Sequence, residues 1–157
     1  MHTKRFAFPE PRFSCALFLA ALFSLAGRAQ ELDFRVERDV MIPMRDGAKL
    51  AANIFRPKSD SRSPVILLRT PYGKPDEKWG DVRRYTAAGY AMVTQDCRGK
   101  GASEGVWDPF RNDVEDGFDT QEWLGRQAWC NGDIGTSGGS YGGWTQWAPA
   151  ANASRHL

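Results

Sequence analysis

The sequence contains no internal repeat, no low-complexity tract and only one long apolar run, over residues 13–26. These absences exclude a collagen, a disordered tail, a coiled coil and a polytopic membrane protein. The remaining composition is ordinary, with 41% hydrophobic, 25% charged and 12% aromatic residues among 157. It indicates a globular protein of at most one domain.

An excess of charge of either sign is also missing. The formal net charge is +2, but residues 1–29 contribute four basic side chains and one acidic side chain. The whole chain has 21 basic and 19 acidic side chains, so residues 30–157 carry the remaining 17 basic and 18 acidic groups. No basic face remains for a nucleic acid or an anionic membrane, so neither partner is expected.

The first 29 residues have the layout of a secretory signal peptide. A basic segment with Lys4, Arg5 and Arg12 precedes the apolar run, and small residues at Gly27 and Ala29 favour cleavage before Gln30. The apolar run would span only ~21 Å as a helix, short of the ~30 Å hydrocarbon core of a bilayer. We expect export to the periplasm or the medium, with residues 30–157 as the mature chain and no membrane association after cleavage. An uncleaved anchor and a misassigned start codon are the alternatives.

The mature sequence predicts an α/β fold. An antiparallel hairpin around the Asp46–Gly47 turn is followed by alternating strands and helices, which build a parallel sheet with helices on both faces. Residues 65–68 form a continuous apolar run that is typical of a strand buried on both faces. Strands are predicted at 36–43, 50–55, 65–68, 90–94 and 134–137, and helices at 76–88, 112–127 and 141–152.

Residues 135–143, GTSGGSYGG, contain the pattern G-x-S-x-G twice, around Ser137 and around Ser140. Between a strand and a helix this pattern forms a nucleophile elbow, in which the serine hydroxyl projects from the carboxyl edge of the sheet. Ser137 belongs to the predicted strand, whereas Ser140 follows the strand and opens a helix. The geometry favours Ser140 as the nucleophile. A Gly/Ser-rich surface turn is the alternative interpretation of the segment.

A family resemblance rests on four segments in order: VMIPMRDGAKLAANIFRP (40–57), RTPYGK (69–74), AAGYAMVTQDCRGKGASEG (87–105) and QAWCNGDIGTSGGSYGGWTQW (127–147). They resemble the cocaine esterase and Xaa-Pro dipeptidyl-peptidase family of α/β-hydrolases, with the α-amino acid ester hydrolases as relatives. The resemblance covers about residues 37–150. It implies a serine hydrolase that acts on small esters or peptides, without choosing between them.

The resemblance also implies roles for three residues. Ser140 matches the family nucleophile, the backbone N–H of Tyr141 would donate one hydrogen bond to the oxyanion, and the Tyr72 hydroxyl would donate the second. The position of Tyr72 is sensible on physical grounds, because it follows the buried strand 65–68 in the loop where this fold places its second donor. A tyrosine in a Pro-initiated turn is the alternative for Tyr72.

Other polar groups are interpreted as structural. We expect Asp96 and Arg98 to form an ion pair or a loop anchor, and the acidic cluster at 113–119 to be a solvated helix start. The segment Gly99–Gly101 matches neither phosphate-loop pattern, and the acidic cluster fails the calcium-loop template. No cofactor and no metal are therefore predicted. Most tryptophans are expected in the core, with one or two available to line a substrate pocket.

The mature chain has two cysteines, and the topology predicts that both are free thiols. Cys97 follows the carboxyl end of one strand and Cys130 precedes the amino end of another, about a strand length (~17 Å) apart. A disulfide requires Cα atoms within ~7 Å.

A general base for the serine is not evident. In this fold the order is Ser, then Asp, then His. The two histidines are His2, in the predicted signal peptide, and His156, only 16 residues beyond Ser140. We expect the chain to carry the N-terminal part of a catalytic domain, truncated after the elbow helix, with no esterase turnover from residues 30–157 alone. The alternative is a non-catalytic, hydrolase-like binding or interaction protein. The oligomeric state is not predicted.

Overall fold

Three strands are followed by alternating helices and strands, five strands and three helices in all, in a computed structural model that describes residues 33–152 and 154–157. The predicted signal peptide at 1–29 lies outside the described residues. The strands are β1 (Phe34–Pro43), β2 (Lys49–Pro57), β3 (Ser63–Thr70), β4 (Ala91–Asp96) and β5 (Cys130–Thr136). The helices are α1 (Gly80–Ala87), α2 (Asp113–Gly125) and α3 (Tyr141–Ala150).

The strands form one mixed sheet in the order β1-β2-β4-β3-β5. The hairpin β1–β2 and the pair β2–β4 are antiparallel, and β3 is parallel to both β4 and β5. The predicted α/β architecture, an antiparallel hairpin followed by parallel strands, is therefore confirmed. The carboxyl ends of β3, β4 and β5 meet at one edge of the sheet.

Alternating side chains of the central strands supply a core on each face. On one face Ile54, Val65 and Val93 pack with Leu124 of α2, and on the other Phe55 and Met92 pack with Val82 of α1. The helices thus cover both faces, as the alternation of elements requires. No helix in the described part of the chain has the length and apolar character needed to cross a bilayer.

The observed start differs from the prediction by four residues at α1, which begins at Gly80 rather than at residue 76, and by four residues at β5. The strand begins at Cys130 rather than at residue 134, because Cys130 pairs with Ser63 ahead of an irregularity in the ladder. The sequence of the polar Asn131–Gly132–Asp133 segment is typical of a turn. The segment belongs to the strand because β5 pairs with the neighbouring β3. At the other end the Ser137 N–H donates to the Leu67 carbonyl at 2.9 Å, so the chain follows the sheet up to the glycines before Ser140.

Candidate active site

Ser140 lies in the turn between β5 and α3, at the edge where the parallel strands end. Its backbone has φ 55° and ψ −124°, and it is one of three non-glycine residues with positive φ in the part of the chain that the structure describes. This conformation costs on the order of 1–3 kcal/mol, so the surrounding contacts must enforce it. It is the backbone geometry that a sharp strand-to-helix turn imposes on its central serine.

The turn is closed by an approach of two glycines. Gly138 has φ 149°, and a Cβ on it would lie 2.9 Å from the carbonyl oxygen of Gly142. No side chain fits there without displacement of the backbone. Glycine at this position is therefore required by contact as well as by conformation.

Ser140 is exposed, and no hydrogen-bond partner for its hydroxyl is found within residues 33–152 and 154–157. Its carbonyl accepts the N–H groups of Gly143 and Trp144, which begin the helical pattern of α3. The N–H of Tyr141, the first helical residue, is left without an acceptor among the same residues. A helix N-terminus with a free N–H favours negative charge beside the serine oxygen.

Tyr72 lies at the same edge, in the loop after β3. Its side chain is 74% exposed, and its backbone N–H donates to Thr70 Oγ1 at 3.1 Å. The end of β3 also touches α3, because Thr145 Oγ1 donates to the Arg69 carbonyl at 3.1 Å. The structure therefore brings the loop of Tyr72 and the turn of Ser140 to neighbouring positions at one edge.

Asp96 anchors that loop. Its carboxylate accepts the Lys74 N–H at 2.7 Å, the Lys74 ammonium at 2.9 Å and the Ala102 N–H at 3.1 Å. A second carboxylate, Asp39, lies 2.8 Å from the same ammonium. Burial alone would lower the pKa of Lys74, but its hydrogen bonds to Asp39 and Asp96 outweigh burial and raise it. The expected structural role of Asp96 as a loop anchor is thus observed.

Arg98 has partners of its own. Its guanidinium donates to Asp116 at 2.6 Å and to Asp46 at 2.8 Å, so it ties α2 to the β1–β2 turn. Hydrogen bonds to Asp116 and Asp46 raise the pKa of Arg98 above its usual range against the effect of burial.

The prediction that the acidic cluster 113–119 is a solvated helix start was wrong for two of its members. The exposed fractions of Asp113 and Asp116 are 5% and 1%. Arg69, itself 2% exposed, lies between them with N–O distances of 3.7 and 3.8 Å, and it supplies the charge that makes burial of the carboxylates tolerable. The available signal was an arginine, Arg69, that directly follows the apolar run 65–68.

Asp113 also faces the elbow. Its Oδ2 accepts the Tyr141 hydroxyl at 2.6 Å and the Trp144 indole N–H at 3.0 Å. Sequence reasoning missed this contact. Burial, followed by the hydrogen bond to Asp113, raises the pKa of the Tyr141 hydroxyl above its usual range.

The tryptophans are less buried than expected. Trp123 and Trp129 are partly buried against the core, whereas Trp144 and Trp147 are exposed on α3. Both described cysteines, Cys97 and Cys130, are buried free thiols, located after β4 and at the start of β5, at opposite ends of the sheet.

His156 lies far from the elbow turn in the topology. Its Nδ1 is 2.9 Å from the Gly132 carbonyl, and its own carbonyl accepts the Ile134 N–H at 2.7 Å. These contacts are with Gly132 and Ile134 inside β5, whereas Ser140 follows the carboxyl end of that strand. Within residues 33–152 and 154–157, then, no histidine lies at the Ser140 edge, and no group of three or more potential metal ligands is found.

Comparison with known proteins supports the same fold. A cocaine esterase from Rhodococcus sp. (strain MB1 Bresler) is 43% identical over 125 residues, which is 76% of this chain and 22% of the esterase. A CocE/NonD family hydrolase from Staphylococcus aureus superposes with a TM-score of 0.73 at 34% identity, over 79% of this chain and 26% of the hydrolase. An α-amino acid ester hydrolase gives a TM-score of 0.72 at 31% identity, over 85% and 26% of the two chains.

The chain spans about a fifth to a quarter of the length of these relatives, one of which is named as an esterase and two as hydrolases. The family described as X-Pro dipeptidyl-peptidase (S15 family) matches residues 46–157, which include the loop of Tyr72 and the turn of Ser140. Because this match covers more than half of the chain, the protein belongs to the X-Pro dipeptidyl-peptidase (S15) family of α/β-hydrolases.

Proposed function

We propose that the protein is a serine hydrolase that cleaves a small ester or an Xaa-Pro peptide through an acyl-enzyme on Ser140. The observation that carries this proposal is the positive φ of Ser140 in the turn between β5 and α3. A strained serine at the N-terminus of the helix that follows a strand is the arrangement of a nucleophile elbow. The family membership supports the same reaction class.

In the proposed reaction the Ser140 oxygen attacks the substrate carbonyl carbon as a base removes the hydroxyl proton. The carbonyl oxygen becomes an oxyanion, which the Tyr141 N–H and the Tyr72 hydroxyl stabilise by hydrogen bonds. The C–O or C–N bond to the leaving group then breaks, and the leaving group takes the proton. Water hydrolyses the resulting ester in a second round of the same steps.

The Ser140 hydroxyl needs a base with a pKa near neutrality. In α/β-hydrolases the acid and the histidine follow the serine in chain order, and the matched part of this chain covers only 22% and 26% of the length of two of its relatives. Activity is therefore tested on the full-length gene product.

The test compares two serines of the doubled motif. We expect Ser140→Ala to abolish hydrolysis of p-nitrophenyl acetate and of an Xaa-Pro p-nitroanilide by the full-length gene product. Ser137→Ala is the matched control, since Ser137 continues the sheet and should keep most of the activity. Loss in Ser137→Ala with retention in Ser140→Ala would assign the nucleophile to Ser137. Absence of hydrolysis in the unsubstituted protein would favour the non-catalytic binding role.

We further propose that the protein is exported and cleaved before Gln30, on the strength of the basic segment and the apolar run of residues 13–26. N-terminal sequencing of the protein from fractionated cells should give Gln30 in the periplasm or the medium. Recovery of an intact Met1 in the cytosol would contradict this proposal.

A further inference from the structure

The carboxylate of Asp113 joins the start of α2 to the first turn of α3. Its Oδ2 accepts two hydrogen bonds, from the Tyr141 hydroxyl at 2.6 Å and from the Trp144 indole at 3.0 Å. These donors are the first and fourth residues after Ser140, so they lie on consecutive turns of one face of the helix. The carboxylate therefore holds the first turn of α3 at both of its ends.

Asp113 is itself held rigidly. The Arg69 guanidinium donates to the Asp113 carbonyl at 3.1 Å, lies 3.7 Å from its Oδ1 and donates to Gln95 Oε1 at 2.9 Å. Arg69 and Gln95 are side chains of β3 and β4, and both are buried. A buried cation fixed to the sheet offsets the desolvation of the carboxylate and sets its position relative to the strands.

The Tyr141 hydroxyl accepts a hydrogen bond as well as donating one to Asp113. It accepts the Phe110 N–H at 2.9 Å, and the Phe110 ring stacks on the Tyr141 ring with centroids 5.0 Å apart. Phe110 has φ 67°, so the loop before α2 adopts a costly conformation to make this contact. The side chain of Tyr141 is thus fixed in place by Asp113 and by the loop of Phe110.

We propose that Asp113 is a positioning residue for the nucleophile elbow, acting through the Tyr141 hydroxyl and the Trp144 indole. This inference rests on the proposed function of Ser140. The backbone N–H of Tyr141 is the proposed oxyanion donor, and its direction depends on the orientation of the first turn of α3. Ser140, immediately before that turn, is held at positive φ by the same constraint. A displacement of about 1 Å at such a site can cost about a hundredfold in rate.

Two substitutions test this role in the full-length gene product. Tyr141→Phe removes only the hydroxyl and keeps the backbone N–H and the ring that stacks on Phe110. Asp113→Asn keeps the shape of the side chain but removes its charge. The amide NH2 replaces one of the two acceptor oxygens, so a donor would face either the Tyr141 hydroxyl or the Arg69 guanidinium. We expect each to lower kcat for p-nitrophenyl acetate about tenfold to a hundredfold, with KM changed less than about threefold.

The double variant and a boronic acid distinguish positioning from a general loss of structure. If Asp113 acts through the Tyr141 hydroxyl, Asp113→Asn combined with Tyr141→Phe should lower kcat little more than the worse single change. Each single change should also weaken inhibition by a small alkylboronic acid, which forms a tetrahedral adduct on the serine, by about the factor lost in kcat. Tyr85→Phe is the matched control, because the Tyr85 hydroxyl accepts an exposed hydrogen bond from Arg84 in α1, and it should change neither value.

An unchanged kcat in Tyr141→Phe, in a protein that Ser140→Ala inactivates, would overturn the inference and leave the proposed function intact. Multiplicative losses in the double variant would also overturn it. If Asp113→Asn fails to fold, Tyr141→Phe decides alone. Retention of activity in Ser140→Ala would contradict the proposed function itself, whatever the other variants show.

Discussion

Gly138 and Gly142 approach each other so closely that a Cβ on Gly138 would lie 2.9 Å from the Gly142 carbonyl oxygen and 3.1 Å from its Cα. The contact is between two stretches of backbone, one before and one after Ser140. Neither can move aside as a flexible side chain would. The contact therefore sets how sharply the chain turns from β5 into α3.

Gly138→Ala should destabilise the fold by about 1–3 kcal/mol, because the added methyl group meets backbone atoms and the residue has φ 149°. We also expect the full-length gene product to lose activity under conditions in which it is still folded, since relief of the contact opens the turn at Ser140. Denaturant unfolding and hydrolysis of p-nitrophenyl acetate measure the two effects.

Gly139→Ala provides the matched comparison, because nothing lies within 4 Å of a Cβ at Gly139 and its φ is not positive. Its free energy of unfolding should stay within about 0.5 kcal/mol of that of the unsubstituted protein. Equal stability of the two alanine variants would show that the contact of Gly138 with Gly142 does not limit the turn.

The architecture could be predicted from the sequence because local patterns determine most of it. The apolar run at 65–68 and the Asp46–Gly47 turn identify a buried strand and a hairpin without knowledge of their neighbours. The position of Ser140 was also predictable, since G-x-S-x-G between a strand and a helix has a local steric cause. By contrast, the start of β5 at Cys130 depends on pairing with Ser63, which the local sequence does not contain.

The network behind the elbow was not predictable for a related reason. Asp113 in a first helical turn interacts favourably with the helix dipole whether it is exposed or buried. The local sequence is the same in both cases, so it does not predict the burial of this carboxylate. Its burial follows from the approach of β3, which carries Arg69, and of α3, which carries Tyr141. Both contacts join residues that are more than 25 positions apart, so only tertiary structure brings them together.

Lys74→Met should destabilise the protein by about 3 kcal/mol, because it leaves the carboxylate of Asp96 buried without its cation. The side chains of Lys74 and Asp96 are 9% and 3% exposed. Two backbone N–H groups, of Lys74 and Ala102, would still bond the carboxylate and keep the loss near the lower end of the range for a broken buried pair. Chemical denaturation at neutral pH measures this loss.

The contribution of Lys74 has a defined pH dependence. Its pKa is raised in the folded protein, so the stabilisation is fully present below the ordinary lysine pKa of about 10.4 and is lost as the pH rises through the folded value. Lys78→Met, an exposed change in the same loop, should leave stability unchanged throughout. An equal effect of both substitutions would exclude a specific role for the Lys74–Asp96 pair.

Cys97 and Cys130 should resist alkylation in the folded protein. Burial raises the pKa of Cys97 to about 12 and raises that of Cys130, so neither thiol forms the reactive thiolate at about pH 8. We expect iodoacetamide to label both at least about a hundredfold more slowly than in denaturant, with labels located by peptide mass spectrometry. Rapid native labelling of Cys97, or a peptide pair linked by a disulfide, would contradict the structure.

The raised pKa of the same two thiols predicts that the free energy of unfolding falls in alkali. A raised pKa in the folded state means that the unfolded chain releases its thiol protons first, at the ordinary value near 9. The stabilisation from the protonated thiols is therefore complete below about pH 9 and declines as the pH rises toward 12. Substitution of Cys97 by Ala should flatten the fall in unfolding free energy over this interval.

Tyr72→Phe should lower kcat about a hundredfold to a thousandfold if its hydroxyl is an oxyanion donor, as removal of one such donor does elsewhere. The side chain is 74% exposed and makes no side-chain hydrogen bond within residues 33–152 and 154–157, so the unfolding free energy should not change. Tyr90→Phe is the control, because the Tyr90 ring contacts Tyr85 beside α1, and it should keep full activity. A loss of stability in Tyr72→Phe that parallels its loss of activity would point instead to a structural role for the hydroxyl. Full retention of kcat would show that Tyr72 is not an oxyanion donor and would leave the Tyr141 N–H as the single donor proposed here.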